Sequence, residues 1–167
     1  MCQQPTIADE SIMIRPMRAA DMDLEAKFVR GLSPQSRHYR FLGGVKELSA
    51  GELKRLCKVD GHRSMAFVAS VVVNGEETVI GVSRYAPNAT GDIREMAVTV
   101  ADAWQNKGLG TRLARQLIQH AREHGVRTLY SMDLADNDAM RHLARDLGMT
   151  AVPDPDDPHQ VIYSLTL

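Results

Sequence analysis

The stretch Val98-Thr99-Val100-Ala101-Asp102-Ala103-Trp104-Gln105-Asn106-Lys107-Gly108-Leu109-Gly110-Thr111 governs how the whole chain is read. Val98, Thr99 and Val100 close a β-branched run that suits a strand. A short polar turn follows, then a glycine-rich loop. Beyond it Leu109, Leu113, Leu117, Ile118 and Ala121 recur close to helical period. Gly108 and Gly110 have no side chain to block a ligand approaching the backbone. The first amides of the helix have no intrahelical acceptor, and the helix dipole adds partial positive charge there. Strand, glycine loop and helix start together form a site for a pyrophosphate.

Upstream of this unit, residues 11–16 alternate and end at Pro16, which predicts a first strand. Asp21 opens a helix with Leu24, Phe28 and Val29 on one face and Gly31 after its end. Ser33-Pro34 starts a second helical segment. Ser49 caps a third, with Glu52 three residues on and Leu53, Leu56 and Cys57 as its apolar stripe. Met65–Val73 is a nearly continuous apolar run, hence a buried strand. Asn74-Gly75 is a two-residue hairpin turn, with a return strand over 78–84. Gly91 restarts the chain and 93–100 is the central strand.

Downstream, Gly125 stops the long helix and 128–134 is a strand. Asn137 caps a helix with Met140, Leu143, Ala144 and Leu147 inside, ended by Gly148. Segments 150–152 and 160–167 read as a closing hairpin around the solvated turn 153–158. That turn is no EF-hand: counted from Pro153, its sixth residue is Pro158 and its twelfth is not Glu. The order is β–α–α–α–β–β–β–α–β–α–β–β, an α/β (α+β) chain in which an antiparallel meander precedes a βαβ unit.

The bulk properties narrow the function. The 167 residues suit one domain, and 44% hydrophobic residues suffice for a core. With 20 basic and 21 acidic residues the net charge is −1, which gives no basic surface for a nucleic acid. No apolar run is long enough to span a membrane, and the N-terminus lacks the pattern of a signal peptide. Cys2 and Cys57 make neither a disulfide framework nor a metal spacing, so a reducing cytoplasm is expected. Cys57 reads as a small core residue.

The phosphate ligand is narrowed by fingerprints. A dinucleotide loop G-x-G-x-x-G fails at Leu113, and no Walker loop is present. What fits is Q-x-x-G-x-G, with Gln105, Gly108 and Gly110 in the fixed places. This resembles the acetyl-CoA motif of the GNAT (GCN5-related N-acetyltransferase) superfamily, and the element order resembles the whole GNAT fold. The segment 32–42, L-S-P-Q-S-R-H-Y-R-F-L, is similar to a signature of the acetyltransferase domain of Pat-type bacterial protein lysine acetyltransferases.

The resemblance implies a mixed, mostly antiparallel twisted sheet of about seven strands with helices on both faces, splayed between 93–100 and 128–134. Residues 1–10 would be poorly ordered and 11–167 a single GNAT domain. It implies an N-acetyltransferase that takes acetyl-CoA as co-substrate and needs no metal. Its acceptor is a primary amine, on a protein lysine or a small molecule, attacking directly in a ternary complex. The protein itself would be a monomer or homodimer.

The backbone of Asn106, Lys107, Gly108, Leu109, Gly110 and Thr111 would hold the pyrophosphate, with Gln105 also at the cofactor, and the backbone of Val98, Thr99 and Val100 would hold the pantetheine arm. Asn137 would contact the cofactor arm, beside its plain role as helix cap. Glu95, in Glu95-Met96-Ala97-Val98-Thr99-Val100, matches the family's catalytic base. On the residues alone, a carboxylate in this apolar strand is either desolvated, which raises its pKa, or exposed and paired with Arg94 or Arg84. A backbone N–H near Val98 would stabilise the oxyanion.

The tyrosine that many members use for the leaving thiolate is replaced by Ala144. A thiol with a pKa of about 8.5 can leave without a dedicated acid, and Tyr130 or Tyr39 are the substitutes at hand. Arg37 and Arg40 meet an acidic substrate, the 3′-phosphate of CoA or a structural carboxylate. His120 and His124, four apart on a helix, read as a solvated face, and Trp104 as packing at the loop entry. A different class, a non-catalytic acyl-CoA sensor, would keep the loop without turnover.

Overall fold

The computed structural model describes residues 11–41, 47–88, 90 and 93–167. The restart at Gly91, Cys2 and the stretch 1–10 lie outside the described residues. The strands are β1 (Met13–Pro16), β2 (Met65–Val73), β3 (Glu76–Pro87), β4 (Arg94–Val100), β5 (Thr128–Leu134), β6 (Thr150–Pro153) and β7 (Gln160–Thr166). The helices are α1 (Met22–Gly31), α2 (Pro34–Phe41), α3 (Ala50–Cys57), α4 (Leu109–Glu123) and α5 (Asp138–Asp146). Among the described residues the sheet has seven strands in the order β1-β2-β3-β4-β5-β7-β6. Each neighbouring pair is antiparallel except β4 and β5.

Local chemistry accounts for most element ends. Asn74 and Gly75 both take positive φ, 51° and 79°, which matches the hairpin twist and joins Val73 directly to Glu76. Ser49 accepts from the Glu52 amide at 3.2 Å while Glu52 accepts from the Ser49 amide at 3.1 Å. Asp21 precedes α1 but does not cap it. Its carboxylate accepts from Arg15 at 2.8 and 2.9 Å and from the Arg18 amide at 2.7 Å. β3 outruns the expected 78–84 because pairing with β2 and β4 continues to both of its ends.

Alternation along β2 assigns its two faces. Phe67 and Ala69 join the core under α4, with Ile80, Met96, Leu113, Leu117 and Leu129. Ala66 and Val68 join the core on the other face, with Phe28, Val29, Cys57 and Val82. The apolar run 65–71 is thus covered on both sides. α5 packs Met140 and Ala144 on Tyr163 of β7.

The seat of α4 depends on Gly81. A Cβ there would lie 2.7 Å from Leu113 Cδ1, so with any other residue the leucine or the helix would have to shift. The β2–β3 register slips between Ala69 and Ser70, and the carbonyl of the bulged Ile80 accepts from the Ala101 amide at 2.8 Å. That bond fixes where β4 ends and the glycine loop begins.

Candidate active site

β4 and β5 pair only through Arg94↔Leu129 and Glu95↔Tyr130, then part. Parallel strands that stop pairing leave backbone groups facing an open wedge, and this wedge is a cleft of about 560 Å³. Its floor is β4 from Glu95 to Val100. One wall is the loop and first turn of α4, and the other is Ser131 to Asp133 with the start of α5. α2 lies across it, contributing Gln35, Ser36, Tyr39 and Arg40.

At one end stands the anion cradle. Gly108 takes φ +81°, a left-handed conformation that favours glycine, and no side chain caps the helix at this position. A Cβ on Gly108 would meet nothing within 4 Å, so the approach to the free amides of the first turn is open. The cradle fits a phosphate ligand in shape and polarity. Gln105 does not face a ligand with its amide. It donates to Val100 O at 2.9 Å and to Ser36 Oγ at 3.3 Å, bracing the loop against β4 and α2. Lys107 lies over the Trp104 ring at 5.3 Å, and Trp104 packs against the α4 core as expected.

α2 is tied to the loop by Asp102, whose role nothing in its sequence neighbourhood suggests. Its two carboxylate oxygens accept from the Ser33 amide at 3.0 Å and from Ser36 Oγ at 3.1 Å. At the far side of the cleft Tyr39 Oη donates to Asp136 O at 3.4 Å. Arg37 is structural, donating to Leu32 O at 2.6 Å.

At the other end stands Glu95. It is exposed in the cleft mouth, so the desolvation expected from its apolar neighbours in sequence is absent. Alternation along β4 turns it to solvent while Met96 is buried. Arg84, one of the two arginines considered for it, is engaged elsewhere. Arg84 pairs with Glu25 at 3.0 Å, and Glu95 Oε2 accepts from Tyr130 Oη at 3.2 Å. Burial, then the charge of Glu95, raises the Tyr130 phenol above its ordinary value, so the phenol is a donor at neutral pH.

Across the wedge Asn137 caps α5, accepting from the Met140 amide at 3.2 Å, and donates Nδ2 to Asp133 Oδ1 at 3.2 Å. Burial pushes the Asp133 carboxyl up to about 6, against hydrogen bonds from Asn137 and Ser131 and the charge of Arg40. Sequence reasoning does not find Asp133, because its burial comes from a wall that is distant in sequence. Burial, then the nearby Arg84 charge, draws the Arg40 guanidinium down to about 10, still cationic at neutral pH.

Elsewhere, Cys57 is buried as expected and its thiol is raised to about 11, mainly by burial. His120 and His124 are not a simple solvated face. Their rings stack at 3.9 Å, and His120 Nε2 lies 2.8 Å from Gly61 O. Among the described residues no group of three His, Cys, Asp or Glu is arranged to hold a metal ion, and no helix is long and apolar enough to cross a membrane.

This arrangement has known counterparts. The acetyltransferase (GNAT) family model matches residues 36–149. The chain belongs to the GNAT acetyltransferase family. It is 47% identical over 156 residues to acetyltransferase PA5475 of Pseudomonas aeruginosa, covering 93% of this chain and 84% of that one. Its fold matches the GNAT domain of S. lividans PAT with a TM-score of 0.82 at 26% identity, over 92% of this chain and 89% of that one. It also matches yncA of Salmonella typhimurium, solved with acetyl-CoA, with a TM-score of 0.75 at 20% identity, over 94% of both chains. The protein is therefore a GNAT acyltransferase of the N-acetyltransferase class, with the seven-stranded open sheet expected of that fold.

Proposed function

We propose that this GNAT enzyme transfers an acetyl group from acetyl-CoA to a primary amine by direct attack within a ternary complex. The observation that carries the reading is the wedge itself. Strand pairing stops at Glu95↔Tyr130, with a free-amide cradle at one end of the cleft and an exposed carboxylate at the other. Gly108 to Thr111 would receive the pyrophosphate. The unpaired edge of Val98, Thr99 and Val100 would take the pantetheine arm as an added strand.

Acetyl-CoA supplies an activated acyl thioester. The chain supplies position and proton management. Glu95 accepts the proton of the attacking amine through a water, for which the open cleft mouth has room. Tyr130 holds the Glu95 carboxylate in place. Backbone N–H groups on the open edge of β4 are available to stabilise negative charge on the thioester oxygen. No tyrosine stands at Ala144, which is buried in the α5 core. Tyr39 and Tyr130 are engaged elsewhere, so the thiolate leaves unassisted by a side-chain acid.

The 32–42 signature and the likeness to the PAT domain support a protein lysine as acceptor, and a cleft of this size also suits a small amine. The test is CoA release from acetyl-CoA against lysine-bearing proteins, peptides and small amines, comparing wild type with Glu95→Gln. Amine-dependent release that collapses in the variant is expected. Equal release by both proteins would remove Glu95 from the role of base.

A further inference from the structure

Beneath α2, on the α1–α3 face of the sheet, lies a small cluster of charge. Arg84 projects from β3 and Glu25 from α1, with Arg40 above them on the last turn of α2. They line a void of about 10 Å³ together with Ala97 and Thr99, room for about one water. Arg84 is answered in full: it donates to Glu25 Oε1 at 3.0 Å and to Leu56 O at 3.0 Å. Arg40 is not. Among the described residues its guanidinium makes no hydrogen bond and no ion pair within 4 Å, and it rests over the Phe41 ring at 4.8 Å. Glu25 is thus taken up by Arg84, and Arg40 is left without a bonded anion.

A guanidinium without a partner is costly to maintain in a partly buried place unless an anion comes to meet it. Other arginines of the chain show what a structural role looks like. Arg15 holds Asp21 and Glu77, and Arg37 holds Leu32 O. Arg40 instead lines both the void and the main cleft. It feels the charges of Glu95 and Asp133 across the cleft, yet neither is within ion-pair distance. Arg40 and Glu95 therefore place an unpaired cation and an exposed anion on the lining of one cleft. The complement of such a pair is a molecule with a carboxylate at one end and an amine at the other.

We infer that Arg40 is the anchor for a carboxylate on the acceptor, so that the amines acetylated here are small amino acids or related amino-carboxylates, held with the nitrogen at Glu95. This rests on the reading of the cleft as an amine acetyltransferase site. A guanidinium takes a carboxylate through two parallel N–H···O bonds, which orients as well as binds. The pyrophosphate of the cofactor would be met elsewhere. The phosphate cradle is at Gly108, whereas the neighbours of Arg40 are Ala97, Thr99 and Glu25, on the opposite face of the sheet from α4.

The experiment compares α-, β- and γ-amino acids with their own primary carboxamides as acceptors, in wild type, Arg40→Gln and Arg40→Lys. CoA release gives kcat/KM for each acceptor and KM for acetyl-CoA. The same pairs are titrated by calorimetry into the CoA-saturated protein. Wild type is expected to prefer the acid over its carboxamide by at least about ten-fold, equivalent to about 1.4 kcal/mol. R40Q should bring the ratio near unity, and R40K should keep part of it.

A wild-type preference for the carboxamides, or for lysine-bearing proteins over every amino acid, would overturn the inference. So would a ratio untouched by R40Q while KM for acetyl-CoA rises, which would assign Arg40 to the cofactor. Should no amine be acetylated at all, the transfer reading fails on its own account. The calorimetric ratio then decides the anchor: an acid preference lost in R40Q upholds it, and no preference refutes it.

Discussion

Tyr130 Oη donates to Glu95 Oε2 at 3.2 Å, across the last residue pair that β4 and β5 share before they part. The pair is both the hinge of the wedge and the support of the carboxylate at its mouth. Glu95→Gln keeps the shape and removes the proposed base, with an expected loss of about 10²–10⁴ in kcat/KM. Tyr130→Phe leaves Glu95 in place but unsteadied, and a smaller loss is expected, carried by kcat with KM for acetyl-CoA unchanged. Steady-state kinetics of both variants check this, and a Tyr130→Phe loss as large as that of E95Q would contradict the positioning role.

The two glycines of the loop separate folding from binding. Gly108 sits at φ +81° with open space where a Cβ would stand, so Gly108→Ala meets no atom but is strained by about 1–2 kcal/mol. Gly110 lies in the first turn of α4 with ordinary φ, and its added Cβ would make normal contacts of 3.7 Å to Val100 and 3.9 Å to Val98. Gly110→Ala should leave stability unchanged or raise it by up to about 1 kcal/mol, because alanine favours helix over glycine. Both variants should raise KM for acetyl-CoA, since both put a methyl at the cradle. Urea melts beside acetyl-CoA titrations distinguish the two effects.

Gly81 and Leu113 form one packing unit under α4. Leu113 is fully buried, and Leu113→Ala should cost about 2–5 kcal/mol. Gly81→Ala drives a Cβ to 2.7 Å from Leu113 Cδ1, and should cost about 1–3 kcal/mol by overpacking. In the double variant the new methyl occupies space the leucine vacates. The combined cost should therefore fall short of the sum, with a coupling of about 0.5 kcal/mol or more. A strictly additive double-mutant cycle would show that the helix relaxes away instead.

Asp133 gives the cleft a pH-dependent stability. Its carboxyl is held up at about 6 by burial, against about 3.9 in an unfolded chain. Between these values the folded protein binds more protons than the unfolded one. The stabilising contribution of the protonated form is complete below about pH 4 and is lost as the pH rises through 6. Asp133→Asn removes the titration and can still accept from Asn137 through its amide oxygen. The variant should gain on wild type by about 2–3 kcal/mol between pH 4 and pH 7.5, following the energy equivalent of the shift. Chemical denaturation across that range would refute this if the difference stayed constant.

The order of elements and the glycine turn that opens α4 are legible in the amino acids alone. Asn74-Gly75, the Ser49–Glu52 box, Gly125 and Gly148 are signals written in adjacent residues, because turns and caps are closed by local hydrogen bonds and local φ. The motif around Gly108 is legible for the same reason: its amides are free by helix geometry alone. Glu95 stands out as a carboxylate among apolar neighbours, but its exposure does not. Exposure depends on whether β5 continues to pair beyond Tyr130, which is settled far along the chain.

The remaining features of the site arise between segments remote in sequence, and only folding brings them together. Asp102 holding Ser36, Gln105 bracing α2 and Tyr39 reaching Asp136 each cross at least 66 residues. The raised carboxyl of Asp133 and the unanswered charge of Arg40 are of the same kind. Desolvation is a property of everything that surrounds a group, and no single segment contains it.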